Sequence, residues 1–213
     1  QGMDEPTRVF VLRHGQTAWN ASRRIQGHVD EPLDDTGRWQ AQRLAQALAG
    51  EGIAAIYSSD LQRAHATALA LAAATGLPVV TRADLRERAF GRFEGATPAE
   101  IEQRWPEDAA RWRRREPDHG PGGGEALTDF YARSVAAATV LAARHPGQAI
   151  ALVAHGGVLD CLYRAALRLE LAAPRTWQMD NASINRLLYV GQGFSVVGWN
   201  DSTHLGMARG GPS

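Results

Sequence analysis

Two uninterrupted apolar runs dominate the hydrophobic pattern. Residues 9–12 (VFVL) lead directly into Arg13, His14 and Gly15, and residues 149–154 (AIALVA) lead into His155, Gly156 and Gly157. Runs of this kind, with no polar alternation, predict strands buried on both faces, as in a parallel sheet. The rest of the chain alternates between helical and strand patterns. Residues 16–33 are polar and irregular and predict a loop. Asp34, Asp35 and Thr36 are N-cap candidates for a helix over 37–49. A short strand at 54–57 closes in Ser58, Ser59 and Asp60, which cap a helix over 61–75. A brief strand at 78–81 precedes a charged loop at 84–95. Residues 98–115 predict one helix, HGPGGG at 119–124 a flexible loop, and 125–145 an alanine-rich helix leading into the second apolar run. A helix over 158–170 follows. Strands at 183–190 and 194–199 flank GQG as a hairpin.

This order predicts an α/β fold: a three-layer α/β/α sandwich whose sheet is mostly parallel, with an antiparallel edge strand. One domain over 3–205 accounts for the pattern. Residues 1–2 read as a tag remnant and 206–213 as a flexible tail.

Composition narrows the partners. The 213 residues are 44% hydrophobic and 22% charged, with 23 Lys+Arg against 23 Asp+Glu. Zero net charge gives no reason to expect nucleic acid or a membrane surface as partner, so any anion site must come from local placement of arginines. The one cysteine, Cys161, permits neither an intrachain disulfide nor a cysteine metal cluster. With no span-length apolar run and no secretory segment, a cytoplasmic enzyme is the expectation.

The repeated strand–His–Gly device carries the chemistry. If the two strands are neighbours in one parallel sheet, His14 and His155 face each other across one pocket at the carboxyl ends of the strands. Either histidine alone would read as a loop or core residue, but the repetition is hard to explain as packing.

Five segments in order, RHGQTAWN, RIQG, SSDLQRAHATA, LRERAFGRFEG and LVAHGG, extend this pattern. Together they resemble the histidine phosphatase superfamily, the phosphoglycerate mutase-like group, from about Val9 to about Leu205. The resemblance implies the same sandwich fold and a set of roles. His14 would be the nucleophile that becomes phosphohistidine, and Arg13 and Arg63 the phosphate-binding arginines. His155 would donate to the transferring oxygens, and Glu87 would be the general acid. Asn20 and Gln26 would contact phosphate or substrate. Gly156 could add its backbone N–H at a helix start.

The physical demands agree with these assignments. A histidine attacks only through an unprotonated nitrogen, and neighbouring cations disfavour the imidazolium. Its other nitrogen should donate to a backbone carbonyl, which fixes the tautomer. Arginine forks suit phosphate oxygens. Glu87 has a competing reading as an ion-pair partner of Arg86, Arg88 or Arg92, and Arg63 one as a solvated helix residue.

The leading expectation is a metal-independent phosphatase acting on a small-molecule phosphate ester, with no cofactor and no metal. A phosphoglycerate mutase and a silent phospho-ligand binding module are the alternatives. A metal hydrolase would need clustered carboxylates or a HExxH pattern, which the chain lacks. Members of the family build a lid over the substrate in the segment that is 98–124 here. Its mutases carry a longer insertion between the acid and the second histidine, so the resemblance implies that the short interval from Glu87 to His155 favours the phosphatase. The substrate and the oligomeric state, a homodimer included, stay open.

Overall fold

The computed structural model describes residues 5–206. The expected tag remnant at 1–2 lies outside them, as does the expected tail beyond residue 206. The strands are β1 (Thr7–Arg13), β2 (Ile53–Ser59), β3 (Val79–Arg82), β4 (Ala149–Ala154), β5 (Ile184–Val190) and β6 (Gly193–Asp201). They form one sheet in the order β3-β2-β4-β1-β5-β6. The pairings β3–β2, β2–β4 and β4–β1 are parallel, and β1–β5 and β5–β6 are antiparallel. The sheet is therefore mostly parallel, with its antiparallel pairings at the β6 edge.

The two central strands show why their sequences are uniformly apolar. Val9 and Val11 of β1, with Ile150 and Leu152 of β4, pack beneath α6 (Leu127–Ala143) and α7 (Gly156–Leu167). Phe10, Leu12, Ala151 and Val153 pack on the opposite face against α2 (Asp35–Leu48) and α3 (Gln62–Thr75). Successive side chains point to opposite faces, so a strand covered on both sides has no polar position to fill. This is the three-layer sandwich expected from the pattern. Among the described residues, no helix is long and apolar enough to cross a membrane.

Three local expectations give way to specific interactions. The 16–33 loop contains a single helical turn, α1 (Ala18–Ala21). The Thr17 hydroxyl accepts from the Asn20 N–H, and the Asn20 carboxamide oxygen accepts from the Thr17 N–H, a reciprocal cap that closes the turn. The helix expected over 98–115 is two helices, α4 (Pro98–Arg104) and α5 (Pro106–Arg113). Pro106 keeps Trp105 out of the helical region (φ −136°, ψ 66°), and the break falls there. The glycine-rich stretch expected to be flexible is folded onto its neighbours. Asp108 accepts from His119 Nε2 at 2.6 Å and from the Gly122 N–H at 3.0 Å, and the Glu125 N–H donates to Ala89 at 2.8 Å. Side-chain and backbone partners remote from the run replace its solvent contacts, and nothing in the run itself announces them.

The central strand sets the stability. Leu152 is fully buried in β4. Leu152→Ala leaves a cavity between two rigid layers and is expected to lower the unfolding free energy by about 3 kcal/mol. Urea denaturation followed by far-ultraviolet circular dichroism checks this, and a loss under about 1 kcal/mol would contradict a close-packed centre.

Candidate active site

The site follows from strand register. Arg13 of β1 pairs with Ala154 of β4, so the next residue on each strand, His14 and His155, lies side by side at the carboxyl end of the sheet. The His14 N–H donates to the Ala154 carbonyl at 3.1 Å, and the ring centroids are 5.1 Å apart. The structure thus brings together the two histidines that the repeated strand endings suggested.

Each ring has its own constraint. His14 Nδ1 donates to its neighbour's carbonyl, Gly15 O, at 2.6 Å, which leaves Nε2 as the free nitrogen. His155 Nε2 meets the Ser59 hydroxyl at 2.8 Å, while Nδ1 is buried without a partner in the protein. Burial first, then Arg63 and Arg13, holds His14 well below the usual imidazole range. His155 is lowered for similar reasons, burial first and then Arg63, His14 and Arg13. Both rings are neutral near pH 7.

The arginines are placed from different elements. Arg13 ends β1 and donates to the Met179 carbonyl. Arg63, on the first turn of α3, is only 1% exposed, which removes its reading as a solvated helix residue. It donates to the carbonyls of Val29 and, at 2.8 Å, Gly27. Burial lowers both guanidiniums from their ordinary value. The Nε atoms of Arg13 and Arg63 are buried without partners among the described residues. Buried donors are nearly always satisfied, so two unmatched arginine Nε atoms and a ring nitrogen point to an anion that completes them.

Glu87 lies within reach of the same centre. Its carboxylate accepts from its neighbour Arg88 N–H at 2.8 Å and from Gly157 N–H at 3.1 Å, at the start of α7. Gly157 has to be glycine, because a Cβ there would strike Glu87 Oε1 and sit 2.9 Å from the Phe130 ring. The nearby arginines have other partners. Arg86 grips Asp60, Arg92 pairs with Asp108, and Arg88 donates to the carbonyls of Glu125 and His119. Glu87 is therefore not held by the ion pairs its sequence neighbours suggested.

Asn20 and Gln26 line the same cavity of about 500 Å³ as Arg13, His14, Arg63 and Glu87. Their carboxamide oxygens accept from Thr17, which orients their N–H groups as donors for a ligand. Gly156 lines an adjoining cavity of about 560 Å³ and packs beside the Arg13 guanidinium. Pro98, Trp112 and Arg113, from the candidate lid, form part of its wall.

Several supporting residues carry no site signal in the sequence. Ser59 reads there as a helix cap, although it stands in one of the quoted segments. Asn181 donates to the His14 carbonyl at 3.1 Å and to the Asn20 oxygen at 3.3 Å. Arg133 pairs with Glu125 and donates to the carbonyls of Asp84, Arg86 and Glu87, which pins the backbone that carries Glu87. The last two act across more than 40 residues of chain and leave no local signal.

Neutral imidazoles set among buried guanidiniums at the carboxyl edge of an α/β sheet are the arrangement of a phosphoryl-handling enzyme. Residues 9–202 match the histidine phosphatase superfamily (branch 1), and the chain belongs to that family. It is 41% identical to phosphoglycerate mutase-like protein 4 of Arabidopsis thaliana over 201 residues, 92% of this chain and 86% of that protein. It is 36% identical to a metal-independent phosphoserine phosphatase of the same plant over 204 residues, 94% of this chain and 84% of that protein. Among solved structures, a mycobacterial glucosyl-3-phosphoglycerate phosphatase in complex with VO3 superposes with a TM-score of 0.82 at 36% identity, covering 92% of this chain and 99% of that one.

The buried neutral histidines have a consequence for stability. Unfolding returns both rings to a pKa near 6.5, so below that pH the unfolded chain binds more protons than the folded one. Stability is expected to be flat in this respect above about pH 6.5 and to fall as the pH drops below it. The difference in unfolding free energy between wild type and a His14→Asn/His155→Asn double variant, followed from pH 7.5 to 5, should shrink with acid. A constant difference would show that the rings are not held neutral.

Proposed function

We propose that this protein is a metal-independent phosphatase that hydrolyses a small-molecule phosphate monoester through a phosphohistidine at His14. The observation that carries the reading is the set of buried donors without partners among the described residues, Arg13 Nε, Arg63 Nε and His155 Nδ1, on three side chains that neighbour His14. A phosphoryl group placed there has its equatorial oxygens met by guanidiniums and its phosphorus in line with a nucleophile that needs no deprotonation.

The first step forms the Nε2–P bond and breaks the bond from phosphorus to the ester oxygen. Glu87, entering this step protonated, gives its proton to the departing oxygen. In the second step water attacks phosphorus, Glu87 takes the water proton, and the N–P bond breaks to release inorganic phosphate and neutral His14. The Gly15 carbonyl holds the Nδ1 proton of His14 throughout. When the Ser59 hydroxyl donates to His155 Nε2, the proton of that ring stands on Nδ1, ready for a phosphoryl oxygen. Asn20, Gln26 and the Gly156 N–H complete the phosphate contacts. A cytoplasmic setting fits this reading, since Cys161 is a free buried thiol in a fold that needs no disulfide. The residues at 98–124 act as a partial cover over the leaving group.

Water, not a second hydroxyl, accepts the phosphoryl group, because the cover consists of two short helices and one turn rather than an enclosing insertion. Brief incubation with labelled p-nitrophenyl phosphate and an acid-free quench should leave label on His14. Label on a serine or aspartate would sink the mechanism. With 3-phosphoglycerate, bisphosphoglycerate-dependent formation of 2-phosphoglycerate faster than phosphate release from any tested ester would make the protein a mutase instead. Full activity should survive exhaustive chelation.

The acid role is tested separately. Glu87→Gln should slow an alkyl phosphate by about a hundredfold or more, and p-nitrophenyl phosphate, whose leaving group needs little protonation, by far less. Equal losses on both esters would make Glu87 a structural residue only.

A further inference from the structure

The two cavities meet at Glu87, and both are lined by Arg13, Glu87, Phe90 and Arg175. The smaller holds His14 and the phosphate-side residues. The larger, about 560 Å³, adjoins it at Glu87 and offers room for the alcohol part of an ester whose phosphorus faces His14. This deepens the phosphatase reading and rests on it.

Among the described residues, five arginines (Arg13, Arg88, Arg113, Arg115 and Arg175) and two carboxylates (Glu87 and Asp160) line that larger cavity. Asp160, almost fully buried, accepts from Arg164 at 2.8 Å and from Arg115 and Arg175 at 3.1 Å each. Arg88 stands nearby. It is 7% exposed, and burial first, then the charge of Arg115, lowers it to about 10. Its guanidinium is held by two backbone carbonyls, which carry no full charge. Three guanidiniums thus share Asp160, while Arg88, near Arg115, also feels the carboxylates of Glu87 and Glu125. Arg88, Arg115 and Arg175 line the cavity, and Arg164 lies behind. Arginines outnumber carboxylates on this wall, an excess that an entering anion offsets.

We propose that Arg88, Arg115 and Arg175 form a subsite for a second anionic group on the substrate, a carboxylate or a further phosphate borne by the leaving alcohol. The substrate class is then a phosphorylated acid or a bisphosphate, not the phosphate of a neutral alcohol. Phe90, Trp112, Leu127 and Phe130 supply the apolar wall along which its carbon skeleton lies. Arginine is suited to this task because its planar fork meets either anion through paired N–H groups. The Asp160 carboxylate, shared by three guanidiniums, keeps Arg115 and Arg175 aimed before the ligand arrives.

Paired esters test this on the intact chain. Phosphoserine is compared with phosphoethanolamine, 3-phosphoglycerate with glycerol 3-phosphate, and fructose 1,6-bisphosphate with fructose 6-phosphate. The first two pairs read a carboxylate and the third a phosphate. The expected result is a preference of about tenfold or more in kcat/KM for the doubly anionic member of at least one pair, carried mostly by KM. Arg175→Gln alters a side chain 44% exposed and should collapse that ratio toward unity. The ratio is read within each variant, so a general loss of activity cancels. Arg88→Gln should do the same, and if it fails to fold the Arg175 variant still decides. Ratios near unity in the wild type, with p-nitrophenyl phosphate turned over, would overturn the subsite and leave the phosphatase standing. A wild-type preference unchanged in both variants would overturn the arginine assignment. If no ester is hydrolysed the phosphatase reading fails, and calorimetric binding of the same pairs still tells whether the second anion is recognised.

Discussion

Everything at the site depends on the parallel pairing of β1 with β4. That register brings the residues after two buried strands to one point, and it does so deep enough in the fold to strip both imidazoles of water. Desolvation is the largest influence on each ring, and the neighbouring guanidiniums push in the same direction. The His14 ring is thus kept unprotonated by its position, as the proposed nucleophilic role requires. The cost is a cluster of buried cations and unmatched donors, a local conflict of the kind that persists at functional sites because the surrounding packing over-determines it.

Glu87, the proposed acid, is held by a different principle. Glu87 lies on a loop, yet three distant anchors fix it. The start of α7 offers the Gly157 N–H, Arg133 grips the backbone from Asp84 to Glu87, and His28 Nε2 donates to the Glu87 carbonyl at 2.9 Å. Arg133 is itself tied to Glu125, whose oxygen also accepts from the Ala89 N–H. The same Glu125 backbone binds Arg88 and so links the acid loop to the cationic side of the larger cavity. Precision in a loop is obtained by tying it to the rigid helices on either side.

Asp160 and Asp108 organise the outer wall in comparable ways. Asp160 gathers Arg115, Arg164 and Arg175, and Arg164 in turn accepts the Trp177 ring against its guanidinium at 4.8 Å and binds the carbonyls of Glu170 and Ala173. This clamps the segment that carries Arg175 and Met179 to the site. Asp108 pins the glycine-rich turn and Arg92. Asp160, buried and hydrogen-bonded to three guanidiniums, has its oxygens satisfied and leaves that cluster with more cations than anions.

The amino-acid sequence by itself determined the sandwich and the pair of histidines. Residues 9–12 and 149–154 are apolar at every position because both faces of their strands are covered, and that one-dimensional signal identifies the strands and therefore their ends. Arg13, Arg63 and Glu87 were legible through the short segments that hold them. What only the tertiary structure decided is how those groups are held and what surrounds them. The cap that turns residues 18–21 into helix, the break at Trp105 and the pinning of the glycine run each depend on a particular hydrogen bond or steric restriction that competes with a local preference. Asn181 on the His14 carbonyl, Arg133 on the acid loop and Asp160 among its arginines bring together residues far apart in the chain. Periodicity reports which side of an element is buried, whereas a side-chain partner across the fold is set by the register and packing of elements that the chain reaches only after folding.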